Sequence, residues 1–253
     1  MAKAGKTRGD PDGKTGAKAR RARASRRPRS RLRRALRWVG RIAGGAALAV
    51  LALVVLFALV NPPVTHTIWS ESRRLGAVER TWVGGDAIAP VMFRAVVAAE
   101  DANFCRHWGF DMAAIRSAIE AGAERGASTI SQQVVKNVYL WQGRSWVRKA
   151  LEAALTPLVE TVWTKRRILV VYLNVAEFGE GIFGVEAAAR HYYRVAAADL
   201  TPAQAARLAV VLPNPKARDP TALSQTLRRR AARVQDGAET IRAVGPAACF
   251  EEL

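Results

Sequence analysis

Nineteen consecutive residues without a charge, Ile42 to Val60 (IAGGAALAVLALVVLFALV), constrain this chain more than any other feature. As a helix they span about 28 Å, which matches a bilayer's hydrocarbon core, so a membrane-crossing segment is predicted. A cleaved signal would have a shorter apolar run followed by a small-x-small site. Here the run leads into Asn61, Pro62 and Pro63, which favours a retained anchor. The chain has 253 residues, half of them hydrophobic, enough for a domain with a real core beyond the anchor.

The net charge of +19 is unevenly placed. Residues 1 to 41 hold 16 Lys/Arg against 2 Asp, and so +14 of the total. With few large apolar side chains, this stretch is expected to be a disordered basic tail. No aromatic residue is interleaved except Trp38, so anionic lipid headgroups account for the charge better than nucleic acid does. The cationic flank before the apolar run and Glu71 after it predict a cytoplasmic N-terminus. Everything from about residue 61 then faces the far side, the periplasm of a bacterium with two membranes. Cys105 and Cys249 match no zinc or redox spacing and are expected to be unpaired, although an oxidising compartment would allow them to pair.

Beyond the anchor, 61–87 reads as a linker, 88–225 as the folded domain and 226–253 as a marginal helix or tail. Pro90 suits a first helical position, and the nearly continuous apolar run from Val91 predicts a buried helix ending at Glu100 and Asp101. Phe110 to Ala121 reads as an amphipathic piece near the membrane. Thr129 and Gln132 have the offset of a capping box, predicting a helix start whose free N–H groups and positive dipole end would bind an anion. Pro157 implies a kink or a boundary in the stripe Leu151, Leu155, Leu158 and Val162. Lys165 to Asn174 and Val185 to Tyr193 read as helices, with the glycine-rich Phe178 to Gly184 between them as a turn or an approach to substrate. Thr201 and Pro202 begin a helix through Leu212. No stretch alternates as a strand, and a mainly α domain follows.

Two groups of residues could do chemistry. Glu100 and Asp101 are neighbours on a helix and point in different directions, so they do not form a matched pair. One could be a general base whose proton affinity is raised by its apolar surroundings, with the other held by local hydrogen bonds and His107 in a structural role. Lys136, Arg144, Arg148 and Lys149 supply more positive charge than a solvated helix needs, beside a membrane that offers phosphate-bearing lipids. Glu152, three and four residues after Lys149 and Arg148, is either their ion-pair partner or a group facing the reacting centre.

These residues carry a family resemblance. Glu100-Asp101-Ala102-Asn103-Phe104 with His107-Trp108-Gly109 comes first, then Gly126 through Ser128, Thr129 and Gln133 to Lys136-Asn137. Arg148-Lys149-Ala150-Leu151-Glu152 follows, then Lys165 with Ile168-Leu169 and Tyr172-Leu173-Asn174, and last Gly184-Val185-Glu186 with three alanines. In this order, over roughly residues 90 to 215, they resemble the motifs of the peptidoglycan glycosyltransferases. With no penicillin-binding serine motifs and little chain after the domain, the sequence is similar to the monofunctional biosynthetic transglycosylases of that family rather than the bifunctional penicillin-binding proteins.

The resemblance implies a lysozyme-like, mainly α fold with a small membrane-proximal jaw lobe. It implies lipid II as donor and acceptor in growth of a glycan strand. By carry-over Glu100 is the base that deprotonates the acceptor hydroxyl. Glu152 assists pyrophosphate departure directly or through a divalent ion (Mg or Mn), with no obligatory cofactor. Ser128, Gln133, Lys136, Arg144, Arg148 and Lys149 line the donor site. Cys105 is an unusual residue inside the first motif. Two rivals stand beside this reading: a membrane-bound enzyme that cleaves the same glycan, and a non-enzymatic scaffold that recruits cell-wall or cell-division proteins.

Overall fold

The computed structural model describes residues 1–2, 4–5, 28–122, 126–143, 145–244 and 247–251, which fall into two compact units, 1–53 and 54–253. The first contains most of helix α1 (Pro28–Leu59), and residues 31–59 of that helix are long and apolar enough to cross a membrane. The helix begins well before Ile42, inside the stretch expected to be an unfolded tail. Once the apolar run has nucleated a helix, each added Arg, Leu or Ala costs little. Most of the remaining tail lies outside the described residues.

The second unit starts at the last turns of α1. The indole N–H of Trp163 donates to Val54 O at 2.8 Å, and the Arg167 guanidinium donates to Phe57 O and Val60 O. The Arg167 bonds satisfy carbonyls that the helix end otherwise leaves open. The segment read as a linker holds helix α2 (His66–Leu75), capped by Thr65, whose side chain accepts from Ile68 N, and closed by Arg73 and Arg74 at the negative dipole end.

The core is built from α3 (Pro90–Glu100), α5 (Ile130–Tyr139), α7 (Lys165–Val175), α9 (Pro202–Val211) and α10 (Gln225–Val244). Helices α3, α9 and α10 pack on one another, and α5 packs on α7 and on α6 (Trp146–Val162). Every residue of α7 from Ile168 to Val175 is buried, as its mostly apolar sequence requires, and the one amide in it, Asn174, is hydrogen-bonded to Val83 and Val170. Met92, Phe93, Val96, Leu173 and Leu208 are among the buried side chains of the core, each stabilising the fold by about 1.5–3 kcal/mol. The charged C-terminal stretch forms α10 because Ala231, Val234, Ala238 and Ile241 recur on one face and are buried there. Helix α6 runs through Pro157 without a boundary, while α4 (Met112–Glu120) has no buried residue.

Two expectations are corrected. A small sheet exists: β1 (Glu79–Arg80) pairs parallel to β3 (Ile182–Phe183), which pairs antiparallel to β2 (Glu177–Gly179). Strands of two or three residues are too short to show a two-residue period. Helix α8 (Val185–Tyr193) follows directly. The cysteines are also not free, since Cys105 and Cys249 form a disulfide with their Cα atoms 5.8 Å apart. Long-range packing brings them together. Phe250 stacks against Phe104, and Arg94 pairs with Glu251 at 2.9 Å, so the short helix α11 (Ala248–Glu251) folds back beside the loop that follows α3.

Candidate active site

Helix α3 is almost wholly apolar and delivers Glu100 at its last turn, partly buried. The Glu100 carboxylate accepts one hydrogen bond, from Gln133 Nε2 at 3.0 Å, and Gln133 Oε1 accepts in turn from the enclosed Tyr172 hydroxyl at 3.2 Å. Burial pushes the Glu100 carboxyl above its ordinary pKa, against the pull of the Gln133 bond and of Arg230 and Arg218. Asp101, one residue on, is fully engaged: Oδ1 faces His107 Nε2 at 2.8 Å and Oδ2 accepts the Ile130 backbone N–H at 3.0 Å. The two carboxylates do diverge, and His107 is a hydrogen-bonding partner.

Asp101 also overturns the expected anion site. The start of α5 has its capping box, with Thr129 Oγ1 accepting from Gln132 N and Gln132 Oε1 accepting from Thr129 N. Asp101 takes the Ile130 N–H, and Thr129 donates its hydroxyl to Gly109 O at 2.7 Å. These donors are used inside the protein, and Thr129, Ile130 and Ser131 are buried. The helix end therefore holds the first-motif loop.

That loop is held from below as well. The buried Glu160 accepts from Ser131 Oγ and from Lys165 Nζ, and Lys165 Nζ also donates to His107 O at 2.9 Å while lying over the Phe104 ring. Gly109 has φ +86°, and a Cβ there would lie 2.6 Å from Thr156 Cγ2, so glycine alone fits where the loop passes α6. Glu160 is the residue sequence reasoning missed. Its only signal was an acid on an apolar stripe.

The cationic half begins at the α6 cap, Ser145. Glu152 is buried and ion-paired to both neighbours one turn back: Arg148 Nη1 donates to Oε2 at 2.7 Å and Lys149 Nζ to Oε1. Arg148 Nε is fixed on Gly143 O at 2.9 Å, and Lys149 reaches toward exposed Ser128 at 3.4 Å. Lys136 sits between the halves. Burial pulls its ammonium below the ordinary lysine range, Glu152 and Glu100 oppose that pull, and Arg148 and Lys149 add to it. Arg144 lies outside the described residues.

One cavity of about 280 Å³ is lined by Glu100, Asp101 and Ser128; another of about 350 Å³ is lined by Gln133, the hydrogen-bond partner of Glu100, with Lys136, Tyr172 and Glu177. Glu100, Gln133 and Lys136 thus join an acid to a region of excess positive charge. Among the described residues no group of three or more His, Cys, Asp or Glu could hold a metal ion, and both oxygens of Glu152 are already taken by cations. The described residues do not fit a resident ion, and the charge beside Glu152 is that of Arg148 and Lys149.

A family model described as transglycosylase matches residues 67–239. The chain belongs to the transglycosylase family. Among similar curated proteins, the biosynthetic peptidoglycan transglycosylase of Jannaschia sp. (strain CCS1) is 57% identical over 236 residues, covering 92% of this chain and 99% of that protein. The one from Pectobacterium atrosepticum is 48% identical over 71% of this chain and 80% of its own length. That from Xanthomonas campestris pv. campestris is 46% identical over 83% and 89%. The transglycosylase match begins within α2 and ends within α10, so it takes in both the segment read as a linker and most of the helix read as a tail.

Proposed function

We propose that this transglycosylase polymerises lipid II into linear β-1,4 glycan strands and releases undecaprenyl pyrophosphate. The observation that carries this reading is the place of Lys136, electrostatically coupled both to Glu100, a partly buried acid whose pKa is raised, and to the cluster of Arg148 and Lys149 around Glu152. Glu100 takes the proton of the acceptor sugar's 4-hydroxyl as its oxygen bonds to the donor's anomeric carbon. The bond from that carbon to the pyrophosphate oxygen breaks on the opposite face, inverting an α-linked donor to a β-linked product. Pyrophosphate leaves once its charge is neutralised, so cations suffice where a glycosidase needs a proton donor. Glu152 holds Arg148 and Lys149 in position, and Ser128, Gln133 and Arg144 complete the donor side.

The chain is read as a single-pass protein of the bacterial inner membrane with its N-terminus in the cytoplasm and its catalytic domain in the periplasm. The Cys105–Cys249 disulfide supports an oxidising compartment. Exposed Trp108, Met112, Ile119 and Trp146 support a jaw lobe that dips toward the lipid. The full-length protein in detergent, given lipid II, is expected to make polymer, and given finished glycan to leave it intact. Cleavage of glycan without polymerisation would overturn the reading in favour of a lytic enzyme. Deleting residues 1–38 is expected to leave polymerisation unchanged, whereas a scaffold would lose its partners.

A further inference from the structure

Helix α7 is enclosed from Ile168 to Val175, and Tyr172 is the largest fully buried side chain there. A phenylalanine would fill the same space without bringing a polar atom into the core, and a buried hydroxyl costs free energy unless it is bonded. The Tyr172 hydroxyl has one partner among the described residues, Gln133 Oε1 at 3.2 Å. Burial pushes the phenol well above its ordinary pKa, so it keeps its proton and donates at any working pH. The other end of the same amide, Gln133 Nε2, donates to Glu100 Oε2 at 3.0 Å. Helices α7, α5 and α3 thus meet along one line of hydrogen bonds that ends on the acid.

That line has a direction. An amide has a donor end and an acceptor end, and turning it over exchanges them. With Nε2 toward Glu100, an ionised carboxylate finds a donor and the phenol finds an acceptor. Turned over, Oε1 would face Glu100, an arrangement that only a protonated carboxyl satisfies, by donating. Nε2 could then donate to the phenol oxygen, but the buried phenol proton would be left without an acceptor, at a cost in free energy. The hydroxyl therefore penalises the orientation that suits a neutral acid. We propose that Tyr172 is a positioning residue for the base: it holds the Gln133 amide with its nitrogen toward Glu100, the orientation an ionised carboxylate requires. This rests on the reading of Glu100 as the base and deepens it, because burial draws that carboxyl toward its neutral form and the hydrogen-bond line opposes the draw. The other charged groups about Glu100 are Asp101 on α3, Lys136 on α5, Arg218, and Arg230 on α10, and all of them remain when the phenol hydroxyl is removed.

The test is Tyr172→Phe in the full-length protein, which removes the hydroxyl and keeps the ring. The titration midpoint of the Glu100 carboxyl, read by carbon NMR of the resting protein, is expected to rise by about half to one pH unit, and the acid limb of the pH–rate profile with lipid II to rise with it. Turnover should fall about three- to tenfold on that limb and recover as pH increases, a recovery that damage to the fold would not give. In a Gln133→Ala background Tyr172→Phe should move the midpoint no further, because the hydroxyl acts through the amide. A midpoint and limb that both stay at their wild-type values overturn the proposal, as does a full additional shift in the Gln133→Ala background. A midpoint that rises while the limb stays still leaves Tyr172 in its role and removes Glu100 from the role of base. A midpoint and limb moved by Gln133→Ala but not by Tyr172→Phe give the reverse. If the variant does not fold, the wild type decides: the resonance of the Tyr172 ring carbon that bears the hydroxyl must shift with the Glu100 midpoint as pH is varied, and one that does not follow Glu100 overturns the proposal.

Discussion

Glu100 and Glu152 are the same residue type, both electrostatically coupled to Lys136, and their surroundings treat them in opposite ways. Glu100 has one neutral hydrogen-bond donor and an apolar helix behind it, so it holds its proton to higher pH than an exposed acid. Glu152 is more deeply buried but has a cation on each oxygen. A carboxylate left short of partners is poised to take up a proton. One whose oxygens are both taken by cations orients the groups that hold it. Burial alone does not distinguish a base from a brace; the partner count does.

The sharpest way to break this comparison is Glu100→Gln. Loss of a general base predicts a fall in polymerisation of about 10²–10⁴-fold with the fold retained. Because the folded pKa of Glu100 lies above its unfolded value, its stabilising contribution is full below the unfolded pKa and is lost as pH rises through the folded one. The variant should therefore melt at or above the wild-type temperature at neutral pH, the gap closing in acid. A lower melting temperature at neutral pH would show that Glu100 is a structural acid.

Next in size is the disulfide, which braces the loop after Glu100 and leaves the cationic helix untouched. Cys105→Ser/Cys249→Ser is expected to cost about 3–5 kcal/mol in denaturant unfolding. Turnover should fall with it, while affinity for a pyrophosphate-bearing donor stays nearly constant. An equal loss of donor affinity would mean that the two halves are not independently held.

Glu152→Gln should act with the sign opposite to Glu100→Gln. It leaves Arg148, which is almost enclosed, without its partner, and destabilisation on the order of 3 kcal/mol is expected, with the more exposed Lys149 contributing little. Stability equal to wild type, read by thermal melting, would return Glu152 to the reacting centre. The smallest change is Gln133→Ala. Removing the donor that favours the Glu100 carboxylate should raise the acid limb of the pH–rate profile to higher pH and slow neutral-pH turnover about three- to tenfold. An unmoved acid limb would detach Gln133 from the base.

Local signals were legible in the sequence because they are settled within a few residues. The capping box at Thr129–Gln132, the Thr201–Pro202 helix start, Pro90 at a helix start, the helix Val185–Tyr193 and the uncharged run before Asn61 all follow from local sequence, and the structure has each of these elements. The pairing of Glu152 with Arg148 and Lys149 was equally readable, being one helical turn.

Tertiary structure decided what depends on residues far apart in the chain. Asp101 closes the N-terminus of α5 from 29 residues away, turning an apparent anion site into a clasp on the first-motif loop. Cys249 returns over 144 residues to Cys105, and Glu79 meets His191 across 112. Spacing fixes which donors and carboxylates exist. Only the packing of α3, α5 and α7 determines which are already satisfied, and the free energy of an under-satisfied buried group is what separates the proposed base, Glu100, from the ion-paired Glu152.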